Sequence, residues 1–195
     1  DLSSVTEIIS DAKLKVYQVN SSPTYTLNVN KTSTDSWLEG GVKPVTTELI
    51  SSINPTTEAG YKEIDLTGYT QMKMTGNKIV SISITTSLPG WTTFTARENA
   101  NNPPKLEITT AKGNMYTLDI SSINGLVIKN PDRIYYSDGT TVELKAIPDP
   151  VSSFTGWSGD TVSISNPLTI KVHKNYKLVA QFFVPVVPAD SVLID

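Results

Sequence analysis

The 195-residue chain has no cysteine, one histidine and only two arginines. The first absence removes disulfide frameworks, thiolate zinc sites and cysteine nucleophiles. The second leaves His173 as the sole imidazole for any catalytic triad. No run of about 18 apolar residues occurs, so no segment reads as a spanning helix. Aromatics are 8% and charged residues 18% of the chain, with 12 Pro and 11 Gly among abundant Ser, Thr and Asn. That balance suits a turn-rich all-β protein better than a helical one. The formal net charge of -3 gives no global attraction to nucleic acid or to an anionic membrane, although a local basic strip remains compatible with it. The chain opens on Asp1 with neither Met nor a leader, which reads as a processed piece of something longer.

Period-two alternation carries the secondary-structure reading. Residues 12–19 alternate strictly, with Leu14 and Val16 on one face and Lys13, Lys15 and Tyr17 on the other. Residues 25–30 repeat the pattern after a turn. Residues 34–57, punctuated by Gly, Pro and Thr, read as a long packed loop around Asp35-Ser36-Trp37-Leu38-Glu39. A third strand is expected over 61–67, a short helical turn near 69–74, and a fourth strand over 78–86 with Ile82 and Ile84 inward. A Pro-Gly turn leads to Trp91 and then to Arg97-Glu98. Pro103-Pro104 cannot continue a ladder, so the alternating strand 105–109 starts at a fixed place.

Ala111-Lys112-Gly113-Asn114 reads as a junction, dividing the chain into a domain over 1–110, a smaller β module over 113–184, and a linker or tail over 185–195. In the second part, strands are expected over 115–122, 125–129, 133–136, 141–147, 168–172 and 177–183, separated by Asn-Pro-Asp, Asp-Gly and Pro-Asp-Pro turns. Residues 154–160 read as a turn plugged by Trp157, and Trp37 reads as a second core plug.

An ordered series of segments, Ile8-Ile9-Ser10-Asp11-Ala12-Lys13-Leu14-Lys15-Val16-Tyr17, then Asp35-Ser36-Trp37-Leu38-Glu39, Tyr61-Lys62-Glu63-Ile64-Asp65-Leu66-Thr67, Phe94-Thr95-Ala96-Arg97-Glu98 and Pro103-Pro104-Lys105-Leu106-Glu107-Ile108, resembles the DNRLRE domain, or carbohydrate-binding module family 96. The resemblance implies a jelly-roll β-sandwich that serves as a non-catalytic accessory module of secreted bacterial polysaccharide-degrading enzymes, binding acidic, alginate-like polysaccharides. Family members have strands upstream of the Asp1-Leu2-Ser3-Ser4 step. The expectation is therefore a sandwich without its first strands, which either lie on a separate chain or are replaced by another element. In the second part, Asp132-Arg133-Ile134-Tyr135-Tyr136-Ser137-Asp138-Gly139 through Pro148, with Phe154-Thr155-Gly156-Trp157-Ser158-Gly159-Asp160 and Val179-Ala180-Gln181-Phe182, resembles the internalin-type bacterial B repeat, which implies a spacer or adhesion module.

Ser158 sits in a Gly-rich setting, but Gly159 follows it directly, whereas a nucleophile elbow needs Gly two places to either side. Asp35, Glu39, Glu63, Asp65, Glu98 and Glu107 supply carboxylates, yet nothing in the sequence joins two of them as a glycosidase pair. Catalytic residues are therefore assigned to none. The catalytic domain of a parent polysaccharide lyase or glycoside hydrolase is expected as a partner. Jelly-roll modules offer loop carboxylates to calcium, for which Asp11, Glu63 and Asp65 are the candidates; no other cofactor is indicated. An acidic glycan needs cations and an aromatic face. The candidate ligand-binding residues are Lys13, Lys15, Tyr17, Trp91, Arg97 and Lys105. The competing expectation is a structural or adhesion stalk of a cell-surface protein with no glycan binding.

Overall fold

A computed structural model describes residues 1–21, 25–36, 41–87 and 92–185, as two compact units, Asp1–Lys112 and Gly113–Asp195. The fold is all-β, with one short helix among the described residues. Trp37, Trp91 and the 186–195 tail lie outside those residues, as do the expectations that rest on them.

The first unit is a sandwich of two antiparallel sheets. Its centre is β1 (Ile9–Ser21), long enough to pair on both sides. β2 (Leu27–Thr32), β3 (Thr46–Ile53), β4 (Gly60–Asp65), α1 (Thr67–Met74), β5 (Ile82–Thr86), β6 (Thr92–Phe94) and β7 (Lys105–Thr110) follow. β4 flanks one side of β1, while β7 and β6 share the other, β7 along its first half and β6 along its last residues. The second sheet runs β3-β2-β5. Leu14, Val16 and Ile64 of the first sheet meet Leu27 and Val29 of the second, all nearly or fully buried. Each such side chain contributes about 1.5–3 kcal/mol on burial. α1 and the N-terminal segment seal one end, where Leu2, Ile9 and Ala12 form a satellite core with Val5, Met74 and Ile108.

Three expectations for this unit change. Residues 46–53 form a strand rather than a loop. Its sequence, Thr-Thr-Glu-Leu-Ile-Ser-Ser-Ile, lacks the alternation that marks a half-buried strand because β3 is a mostly exposed edge. The strand expected over 78–86 begins only at Ile82, since Lys78 has φ 59° and its carbonyl accepts from the Leu2 amide. Ile84 pairs with Val29 but keeps 39% of its surface exposed, because β5 is the other edge.

Polar side chains do structural work inside this unit. Gln18 is fully buried; its Nε2 donates to the Thr56 carbonyl at 3.1 Å and the Glu58 carbonyl at 3.2 Å, while its Oε1 accepts from the Tyr25 hydroxyl. Lys62, 9% exposed, donates to the Glu58 carbonyl at 2.8 Å and to Thr56 Oγ1 at 3.1 Å. Together they clamp the turn before β4. α1 buries Thr67, Tyr69, Thr70 and Gln71, an unusual inner face, and satisfies it by hydrogen bonds: Tyr69 to the Ser81 carbonyl, Gln71 to the Ile9 carbonyl, Thr70 to the Leu66 carbonyl. Asp35 ties the loop after β2 to α1, with Oδ2 2.6 Å from Lys73 Nζ and 2.7 Å from Asn77 Nδ2. Those two donors, Lys73 foremost, hold its carboxyl below the usual range.

The second unit contains β8 (Met115–Tyr116), β9 (Leu118–Ser122), β10 (Gly125–Asn130), β11 (Tyr136–Ser137), β12 (Thr140–Pro148), β13 (Ser153–Gly159), β14 (Leu168–Val172) and β15 (Tyr176–Phe183). One sheet runs β10-β12-β14, the other β13-β15-β9 with β9 parallel to β15, and β8 pairs β11. A single apolar core joins them around Trp157, Tyr136, Val142, Leu144, Val172 and Leu178. The expected 115–122 strand is broken at Thr117, whose amide donates to Asn175 Oδ1, and the 133–136 strand is reduced to Tyr136–Ser137. Residues 153–159 are a strand with a register shift after Phe154, not a turn; Trp157 is nonetheless the core plug, 1% exposed, its Nε1 donating to the Ser165 carbonyl at 2.9 Å.

Candidate functional site

β1 places Lys13, Lys15 and Tyr17 on the outer face of the first sheet, opposite the buried Leu14 and Val16. The register then decides what surrounds them. Directly opposite residues share a face, so β4 presents Asp65, Glu63 and Tyr61 beside Lys13, Lys15 and Tyr17. β7 presents Glu107 beside Lys13 and Lys105 beside Lys15. The face is thus a lattice of three lysines against three carboxylates, with Tyr17 and Tyr61 at one end.

Lys15 and Lys105 sit opposite each other, a pairing that like charges disfavour. Each is drawn aside. Lys15 Nζ lies 2.9 Å from both Glu63 Oε1 and Glu107 Oε2, and Glu63 Oε2 also takes Lys13 at 3.3 Å. Lys105 Nζ stands 5.4 Å from the Tyr61 ring centre, a cation–π contact. Tyr61 meets Tyr17 edge-on at 5.3 Å and 84°, and its hydroxyl donates to the Pro103 carbonyl at 3.1 Å. The hydrogen bonds of Glu107 and Glu63 push the Lys15 ammonium above its ordinary pKa, and Lys15 and Lys13 pull the Glu63 carboxyl below its own.

Four of the six expected ligand-binding residues, Lys13, Lys15, Tyr17 and Lys105, therefore meet on one face. Arg97 does not sit on those strands. It lies on the turn between β6 and β7, with Nε 3.2 Å from Glu98 Oε1, and both side chains are largely exposed. Trp91 is outside the described residues. Tyr61 was the missed member: its alternation within 61–67 was visible, but only the β1–β4 register sets it against Tyr17. Glu63 and Glu107, which no spacing in the sequence joins, converge on one lysine. They do so on an open sheet face with both carboxylates paired to ammonium groups, an arrangement unlike a glycosidase acid across a cleft.

Two of the calcium candidates already have protein partners. Glu63 is taken up by Lys13 and Lys15, and Asp65 Oδ1 accepts from the Thr67 amide and hydroxyl at 2.8 and 2.6 Å. Among the described residues no group of three or more acidic or histidine side chains is placed to hold a metal ion. In the second unit, His173 is half-exposed with Nδ1 3.0 Å from Asp138, and Ser158 lies on β13.

The model of carbohydrate-binding module family 96 matches residues 1–110. The chain belongs to that family. Residues 116–184 match the divergent InlB B-repeat domain. Both families are non-catalytic. No curated protein and no solved structure matches the chain. Family 96 membership makes the first unit a carbohydrate-binding accessory module. Among the described residues no helix is long and apolar enough to cross a membrane.

Proposed function

We propose that the first unit binds an acidic, alginate-like polysaccharide on the outer face of its β4-β1-β7 sheet, as the accessory region of a secreted or surface-attached bacterial polysaccharide-degrading enzyme. One observation carries this reading: the sheet register gathers Lys13, Lys15 and Lys105 beside the perpendicular Tyr17–Tyr61 pair on a solvent-facing surface. Uronate carboxylates suit the ammonium groups, and the apolar face of a pyranose ring suits Tyr17. Tyr61, fixed by Pro103 and covered by Lys105, keeps Tyr17 oriented, so little side-chain entropy is lost on binding. The second unit, matching a B repeat, serves as the spacer, which is where the stalk reading retains support. Calcium has no part in this reading.

Affinity electrophoresis of the whole chain through gels containing alginate, ulvan or pectin at low ionic strength tests it. Retardation by at least one acidic glycan is expected, reduced on adding salt. Unaltered mobility of the folded protein in all three gels would overturn it.

A further inference from the structure

Two of the three lysines of the candidate face, Lys13 and Lys15, are already occupied by carboxylates, while Lys105 lies over the Tyr61 ring. Two of the three donors of Lys15 Nζ point at Glu63 and Glu107, each at 2.9 Å, and Glu63 also holds Lys13. We infer that Glu63 and Glu107 are specificity-determining residues of this face: they occupy the positions that a ligand's carboxylates take, and an acidic chain binds by exchanging with them. The inference rests on the reading that this face binds an acidic glycan, and adds how it selects one.

Three features support the exchange. Lys15 keeps only 22% of its side-chain surface exposed, while Glu63 and Glu107 keep 45% and 53%, so the carboxylates lie outward of the ammonium they pair with. Exposed pairs of this kind are weak and readily opened. The lattice is also balanced, Lys13, Lys15 and Lys105 against Glu63, Asp65 and Glu107, with Asp11 at its margin, so the free protein presents no net basic strip to attract polyanions indiscriminately. Finally, Asp65 Oδ1 accepts from the Thr67 amide and hydroxyl, which anchors that carboxylate to its own chain, whereas the contacts of Glu63 and Glu107 are to the lysines of the face. A neutral glycan offers no carboxylate to replace them and gains nothing from their displacement. An acidic one replaces like with like, and discrimination comes from charge exchange rather than from an open basic groove.

Glu107→Gln and Glu63→Gln in the whole chain test this, with alginate oligosaccharides titrated calorimetrically at two ionic strengths. Each variant is expected to bind roughly 3–10-fold more tightly than the parent at low salt, with Glu63→Gln the larger because it removes a carboxylate contact from two lysines, and with a steeper salt dependence. Glu143→Gln, which makes the same charge change at an exposed position of β12 in the second unit, is expected to give no gain, whereas a general change in protein charge would give the same one. Tighter binding by Glu107→Gln alone suffices if Glu63→Gln folds poorly. Binding by the parent that neither variant improves would overturn the inference and leave the glycan-binding reading intact. Absence of binding by the parent and by both variants would overturn that reading and the inference with it. Binding by the variants alone would show the exchange residues holding the face shut, and supports the inference.

Discussion

The two units solve the same problem, stabilising a small β structure without disulfides, with different materials. The second unit relies on one apolar core filled by Trp157 and Tyr136 and ringed by short turns. The first splits its apolar residues into a main and a satellite cluster and adds buried polar groups, Gln18, Lys62 and the Thr67–Gln71 face of α1. It also carries on its outside a dense charged and aromatic lattice. The difference teaches where function is built. On the function proposed above, a spacer needs only its core, whereas a binding module must hold an exposed constellation in place, for which the first unit has hydrogen bonds beneath and beside the sheet.

Substitutions can break this comparison. The largest effect is expected from Trp157→Ala, which removes the plug of the second core and costs about 3–5 kcal/mol. Hydrogen exchange should show loss of protection along β12 and β15; retained protection there would mean that the plug is dispensable. Gln18→Ala is expected to cost the first unit ~2–3 kcal/mol, since it removes the partner of the buried Tyr25 hydroxyl and of the Thr56 carbonyl and leaves the Glu58 carbonyl to Lys62 alone. Chemical denaturation followed by exchange in β1 and β4 measures it, and a cost under about 0.5 kcal/mol would reduce the polar clamp to decoration.

Acid should separate the units more gently. Asp35, held low by Lys73 and Asn77, and Glu63, held low by Lys15 and Lys13, lie in the first unit. A carboxylate depressed in the folded state contributes stability that is present above its unfolded pKa and lost as pH falls through the folded value. The first unit should therefore lose stability below about pH 4, and Asp35→Asn should flatten that loss while costing about 1.5–3 kcal/mol at neutral pH. In the second unit Asp160, lowered by the Lys177 amide, is exposed and contributes less. An unchanged acid profile in Asp35→Asn would remove Asp35 from this explanation. The smallest effect is expected at Arg97→Ala, within about 0.5 kcal/mol, because its side chain is 76% exposed and surface contacts of that kind contribute little. A larger loss of stability would show that the β6–β7 turn depends on it.

Much of this fold was legible because alternation reports burial on one face. Lys13-Leu14-Lys15-Val16-Tyr17 and Lys105-Leu106-Glu107-Ile108 declared which side faces inward. β3 was not legible: at an exposed edge nothing requires alternation. Nor was the clamp, since a buried glutamine or lysine looks in sequence like a surface one until its partners are known. The site was half legible. The faces of single strands follow from the chain, but Tyr61 against Tyr17, and Glu63 and Glu107 on one lysine, depend on cross-strand register, which no local pattern encodes.

The most direct test of the central claim is calorimetric titration of the whole chain with alginate oligosaccharides, comparing the parent protein with a folded Tyr17→Ala/Lys105→Ala variant. Measurable binding by the parent that falls at least tenfold in the variant, about 1.4 kcal/mol, is the expected result. Equal affinity in the two proteins would contradict the assignment of the glycan to the outer face of the first sheet.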